Sequence, residues 1–184
     1  MANCCSSIWP DHHVGDINAL VVFYSRYGAT ERLALAAGLG AIQADANIRL
    51  RRIADRADAA TIAADVNWKK NLDRMNRDYV APRPADPVWA DVIILATPAE
   101  SSSEVESYVA SLSSLGSMNG KLAAPLAPGN PESALKPIYS AAACCGLIVT
   151  PCSESSDDPI ATVTKFGQHV TEMARALKKG SGVI

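Results

Sequence analysis

Ala19-Leu20-Val21-Val22-Phe23-Tyr24-Ser25-Arg26-Tyr27-Gly28-Ala29-Thr30 is the stretch that decides the fold. Its first half, residues 19 to 24, is a continuous apolar and β-rich run, the pattern of a strand buried on both faces of a parallel sheet. From Thr30 the chain becomes rich in alanine and leucine. Leu35, Leu39 and Ile42 then recur at helical spacing, which predicts a helix with that apolar stripe against the sheet. The turn between strand and helix suits an anion. A helix start offers unpaired N–H groups and the positive end of the helix dipole. Gly28 lets the backbone curl closely, and the hydroxyls of Ser25 and Thr30 can donate to phosphate oxygens. The same six residues also serve as an ordinary cap and tight turn. On their own they leave both readings open.

The rest of the chain repeats the strand-then-helix pattern. Residues 48 to 53 alternate in the manner of a peripheral strand, and residues 55 to 78 read as a mostly exposed helix broken near Asn67. Three prolines in Ala81-Pro82-Arg83-Pro84-Ala85-Asp86-Pro87 predict a connecting loop. Asp91 to Thr97 is a second central strand. The helix after it is marked by Ser103 and Glu106 at capping-box spacing, by Val105, Val109 and Leu112, and by a closing Gly116. Lys121 to Ala127 reads as a fourth strand, weakened by Pro125. Asn130 and Pro131 have the pattern of an N-cap and first-position proline for a helix ending near Cys145 and Gly146. Leu147 to Thr150 is the last strand. Ile160, Val163, Gly167, Val170, Ala174 and Leu177 mark a final amphipathic helix. Five such alternations predict a doubly wound parallel sheet with right-handed crossovers and helices on both faces. Ligands then bind at the carboxyl ends of the strands, which singles out residues 25–30, 97–103 and 127–133.

Composition narrows the classes further. The 184 residues are 48% apolar and 20% charged, a globular balance suited to one domain. An N-terminal arm is expected over residues 1 to 17, with the domain over 18 to 184. Seventeen basic against 19 acidic residues give a net charge of −2, with no electrostatic footprint for nucleic acid or an anionic membrane. No apolar run approaches the roughly 20 residues of a spanning helix, and no basic segment followed by an apolar stretch opens the chain, so a cytoplasmic location is expected. The cysteines, Cys4, Cys5, Cys144, Cys145 and Cys152, have no spacing that frames a disulfide or zinc site. Cys4, Cys5, His12 and His13 offer metal-ligand types, but the ordinary reading of that segment is a solvated arm. Cys144 and Cys145 fall at a helix C-terminus, where the dipole disfavours thiolate, and read as buried packing. His169 reads as a surface or partly packed residue, and Trp68 and Trp89 as core.

Residues Val21 to Thr30 resemble the strand and phosphate loop of flavodoxins, above all those of the WrbA-type NAD(P)H:quinone oxidoreductases and related NADPH-dependent FMN reductases, which have a similar Tyr-Ser-x-Tyr-Gly turn. Ala90-Asp91-Val92-Ile93-Ile94-Leu95-Ala96-Thr97-Pro98 resembles that family's third strand and the Thr-Pro opening its flavin-ring loop. Met118-Asn119-Gly120-Lys121 is similar to the Gly-Lys that starts its fourth strand. The resemblance runs from residue 19 to 179. It implies a flavodoxin-like five-stranded sheet that binds FMN. The phosphate would lie at Ser25, Arg26, Tyr27, Gly28, Ala29 and Thr30, and the ring near Thr97, Pro98, Ala99, Glu100 and Ser101, with Gly129 and Asn130 from the third loop. It also implies NAD(P)H as a transient co-substrate, a small-molecule electron acceptor such as a quinone, and a homo-oligomer. The family continues after Thr-Pro with an aromatic, a glycine and an asparagine, where this chain has Ala99-Glu100-Ser101-Ser102-Ser103. A second expectation therefore stands beside the first: a flavodoxin-fold binding or assembly module that has lost tight flavin binding.

Overall fold

Alternation along one central strand sets out the two layers of the core. In β1 (Ile17–Phe23) the side chains of Ile17, Ala19, Val21 and Phe23 enter one buried cluster, while Leu20 and Val22, followed by Tyr24, enter another. Successive residues of a strand point to opposite faces, so the unbroken apolar run from Ala19 to Phe23 requires cover on both. The computed structural model describes residues 16–152 and 158–180. In chain order, β1 is followed by α1 (Ala29–Gln43), β2 (Ala46–Arg52), α2 (Ala59–Ala64), α3 (Val66–Asp78), α4 (Ala85–Trp89) and β3 (Val92–Ala96). Then come α5 (Ser103–Ser111) with a 3₁₀ turn (Leu112–Leu115), β4 (Leu122–Leu126), α6 (Glu132–Cys144), β5 (Ile148–Val149) and α7 (Pro159–Gly180).

The strands pair in parallel in the order β2-β1-β3-β4-β5, the flavodoxin-like order of a doubly wound sheet. Helices α1 and α7 cover one face, and α5 and α6 cover the other. Phe23 lies opposite both Arg52 and Ala96, and Ala96 opposite Leu126. The carboxyl ends of the first four strands therefore finish level. The chain reverses direction of winding between β1 and β3, and the first helix-bearing loop sits there.

Several sequence expectations shift on contact with the structure. Leu35, Leu39 and Ile42 do not face the sheet: they are 45%, 49% and 50% exposed, whereas Leu33, Ala34, Ala37 and Ala41 of the same helix are buried. Small residues won the inner face because α7 approaches too closely for large ones. A Cβ on Gly40 would stand 1.9 Å from the Thr164 carbonyl oxygen, and one on Gly167 would stand 2.1 Å from that of Ala37. The expected loop 81–87 ends in the short helix α4, which tolerates Pro87 because its first turn needs no N–H acceptor. The long helix over 55–78 is two helices, each capped by an aspartate: Asp58 accepts from the Thr61 N–H and Asp65 from the Trp68 N–H. Pro125 sits within β4 without penalty, since β5 pairs only with Leu122 and Ala123 and leaves the rest of that edge open.

The helix caps also differ. Ser102 rather than Ser103 is the N-cap of α5, and no side-chain cap bond forms, so the Ser103–Glu106 capping box is absent. Pro131 rather than Asn130 precedes α6. Cys144 is exposed and Cys145 half-buried, with its Sγ 3.3 Å from the Val109 carbonyl oxygen, so only Cys152 of the three described cysteines is buried packing. The strand begins at Ile17, which is fully buried. The rest of the expected N-terminal arm lies outside the described residues apart from Asp16, and Cys4, Cys5, His12 and His13 lie there with it.

Candidate functional site

The candidate phosphate loop, residues 25–30, follows β1 without interruption and is held from below. Buried Ser25 accepts a hydrogen bond at its Oγ from the Gly28 N–H at 3.0 Å. The bond closes the turn and leaves the hydroxyl's own proton to be donated outward. Gly28 adopts φ 94°, in the left-handed region that favours glycine. The first turn of α1 begins at Ala29, so the N–H groups of Ala29 and Thr30 have no acceptor within the helix and lie at its positive end. Buried Thr30 completes this rim.

A polar network fixes the remainder of the loop. The Tyr24 hydroxyl donates to Asp55 Oδ1 at 2.9 Å, and the Trp68 indole N–H donates to the same oxygen at 2.9 Å. Asp55 is also paired with the guanidinium of Arg52. Arg26 Nε donates to the Tyr24 hydroxyl at 3.0 Å, and its guanidinium carbon lies 4.6 Å from the centroid of the Trp68 ring. Stacking on an aromatic face holds the planar group and its charge in one orientation. Burial chiefly pushes the Tyr24 phenol up to about 12, so it stays a neutral donor and acceptor. Tyr27, largely exposed, donates its hydroxyl to Asp65 Oδ2 at 2.7 Å, which ties the loop to the N-terminus of α3.

Above the loop lies a pocket of about 260 Å³ lined by Ser25, Arg26, Tyr27, Ala29, Thr30, Pro98, Glu100, Ser101 and Pro128. Two of the loops singled out from the sequence thus meet there, and Pro128 brings in the third. Of the other expected residues, Gly28 lines a shallower depression on the far side of the loop, with Asn71 and Arg74. Thr97 is wholly buried and donates its hydroxyl to the Ser101 carbonyl at 3.0 Å, closing the second loop; Ala99 is half-buried in that loop. Gly129 lines a neighbouring apolar hollow with Leu33, Pro159 and Ile160. The Asn130 side chain is turned away: it accepts from the Ala127 N–H at 2.9 Å and donates to the Cys152 carbonyl at 3.1 Å. Sequence reasoning missed Asp55, Trp68 and Asp65, which support the site from 30 or more residues away. The only local signal was an aspartate just past a strand end.

Ser101 and Ser103 converge on buried Glu104, whose carboxylate accepts from the Ser103 hydroxyl at 2.9 Å. This arrangement makes the start of α5 a polar, hydroxyl-lined wall. No aromatic side chain from residues 97–103 reaches the pocket. Among the described residues there is no cluster of three or more metal-ligating side chains, and no helix is long and apolar enough to cross a membrane.

No family model matches the chain. It is 29% identical over 180 residues to a protein of Deinococcus radiodurans named NAD(P)H dehydrogenase (quinone), covering 87% of this chain and 89% of that one. Among solved structures it is similar to a flavodoxin from the domain Archaea, with a TM-score of 0.60 at 16% identity over 86% of this chain and 99% of the other. A diflavin flavoprotein A3 from Nostoc sp. gives a TM-score of 0.57 at 12% identity, over 90% and 98% of the two chains. Fold and sequence together give the chain a flavodoxin-like fold and a similarity to an NAD(P)H dehydrogenase (quinone), consistent with the WrbA-type resemblance.

Proposed function

We propose that the chain is an FMN-dependent oxidoreductase that passes reducing equivalents from NAD(P)H to a quinone-like acceptor. The position of the phosphate loop carries this reading: a helix start with free N–H groups, a glycine at positive φ and an inward serine, set between β1 and β3 where the winding reverses. The name of the Deinococcus relative supports the choice of electron donor and acceptor.

These residues fit the phosphate end of FMN. Ser25 would donate its hydroxyl, Ala29 and Thr30 would donate backbone N–H groups, and Arg26 would add a fixed positive charge at the rim. The ring would lie toward Pro98, Glu100, Ser101 and Pro128, where the proline faces supply apolar cover and Glu100 and Ser101 a polar edge. When bound, FMN supplies the hydride chemistry, and the protein contributes binding and orientation. Accordingly, no acid–base pair is required of the pocket. A flavin-free binding or assembly module is the second reading, favoured by the lack of an aromatic in residues 97–103.

A titration of FMN with the purified chain separates the two. Saturable quenching of FMN fluorescence, with NAD(P)H then bleaching the flavin absorbance near-completely in the presence of excess donor, is the expected result. Unquenched FMN overturns the oxidoreductase reading. Quenching without bleaching by either dinucleotide keeps the flavin site and removes NAD(P)H from the reading.

A further inference from the structure

A second cavity, of about 440 Å³, lies between α5 and the chain that follows β2, and it shares no lining residue with the pocket above residues 25–30. It exists because of how the chain crosses from β2 to β3. The long helix of that connection, α3, serves the other face of the sheet. Its Met75 joins the core cluster of α1 and α7, and its Arg74 Nη1 donates to Glu31 Oε1 of α1 at 2.8 Å. On the α5 side the connection returns only as the proline-rich residues 82–84 and the five-residue α4. Neither fills the space between the end of β2 and α5.

Pro82, Pro84, Pro87, Ile53 and Leu115 give the cavity apolar surface. Tyr108 lines it as well, but its hydroxyl is closed to solvent and has no hydrogen-bond partner among the described residues, so it adds no polar group to the lining. Two cations stand in this otherwise apolar setting. Arg56 Nη1 donates to Ser107 Oγ at 3.0 Å, and the Arg83 backbone N–H donates to Asp86 Oδ2 at 2.9 Å, which fixes the point from which its side chain starts. Arg49, Arg51, Arg52, Arg74 and Arg175 each pair with an aspartate or glutamate. Arg56 and Arg83 are exposed, and among the described residues neither guanidinium has such a pair. The Glu104 carboxylate, which also borders the cavity, is engaged by the hydroxyls of Ser103 at 2.9 Å and Ser101 at 3.3 Å.

We infer that this cavity binds a small aromatic carboxylate, with its ring among the prolines and Leu115 and its carboxylate answering Arg56 and Arg83. A concave, mainly apolar site with a few polar groups is the usual form of a small-molecule site. Guanidinium forks match the planar carboxylate, and a bond between charged groups is the stronger kind. Each half of the ligand is required by a different part of the lining. A bare anion would leave the proline faces wet, and an uncharged aromatic would leave the two guanidinium groups unanswered. This site is separate from the flavin reading and stands or falls without it.

Isothermal titration of 2-naphthoate into the full chain tests it. Wild type should bind 2-naphthoate saturably, and its uncharged counterpart 2-naphthamide at least about tenfold more weakly. Arg56→Gln and Arg83→Gln should each lower 2-naphthoate affinity at least about tenfold, with an unchanged far-ultraviolet circular dichroism spectrum because both side chains are exposed. Ser111→Glu places an anion in the lining, so it should weaken 2-naphthoate and leave 2-naphthamide as it was. Arg83→Gln should leave the FMN titration unmoved, so that loss of this site and loss of the flavin site are read separately. A wild type that takes up no 2-naphthoate overturns the proposal, as does an affinity that survives both arginine substitutions or fails to distinguish acid from amide. If FMN displaces 2-naphthoate while the arginine variants still bind it, the anion lies above residues 25–30 and the proposal falls.

Discussion

Gly28 and Asp55 show two ways in which one residue controls the candidate site. At φ 94° Gly28 holds a conformation that a β-branched residue adopts only at a cost of about 1–3 kcal/mol, although a Cβ there would meet nothing nearer than 3.5 Å. Gly28→Val is therefore expected to fold but to lower FMN affinity at least about tenfold, each 1.4 kcal/mol being worth that factor; unchanged affinity in the fluorescence titration would place the phosphate elsewhere. Asp55 acts through others. It is almost wholly buried and holds the Tyr24 hydroxyl, the Trp68 indole and the Arg52 guanidinium. Removing it leaves a buried cation unpaired, so Asp55→Ala should cost about 3–5 kcal/mol in urea unfolding. The turn closed by Ser25 and Gly28 was legible in the sequence because a strand-to-helix turn at a glycine is a local pattern. The network around Asp55 was not, because its partners come from separate segments that only the folded sheet brings together.

At the scale of elements, close approach decides what periodicity alone does not. The α1 sequence carries two apolar arcs, and spacing favoured the arc with the larger residues, Leu35, Leu39 and Ile42. The structure buries the arc of small ones, since α1 and α7 touch through Gly40 and Gly167. Gly167→Ala would force the two helix backbones apart and should destabilise the protein by about 1–3 kcal/mol, read as a lowered Tm. The Asn130 cap shows the same limit. An asparagine before a proline is a common helix start, but here its side chain bridges Ala127 and Cys152 instead, and its backbone takes φ 40°. Strands β1 and β3, by contrast, were legible to within two residues, because burial on both faces leaves a short unbroken apolar run too short for a buried helix.

Over the whole molecule, charge pairing at the sheet edge ties stability to pH. Hydrogen bonding from Arg74 holds the Glu31 carboxyl below its ordinary 4.5, against an opposing push from burial, with help from Tyr79. Burial pushes the Asp86 carboxyl up, but bonds from Arg51, the Arg83 N–H and Arg49 outweigh it and leave it lowered. A carboxyl with a lower pKa folded than unfolded adds stability that is complete above the unfolded value and lost as pH falls through the folded one. Tm should thus hold level from neutrality to about pH 5 and fall below about pH 4, and Glu31→Gln should make that fall shallower while lowering Tm at pH 7. A wild-type Tm unchanged at pH 3.5 would contradict the assignment.

The glycine-mediated seam between α1 and α7 joins the first helix of the fold to its last. Residues 29–43 and 159–180 are far apart in sequence, yet their contact is the most extensive between any two elements. Contacts of such long sequence separation form late and slow folding. During synthesis, one face of the sheet is thus covered chiefly by α1 until the final helix has left the ribosome, and the part that α7 will cover stays exposed for several seconds at about 5–20 residues per second. For this protein, chaperone demand should be set by the arrival of α7 rather than by the formation of the turn between β1 and α1, which is complete more than a hundred residues earlier.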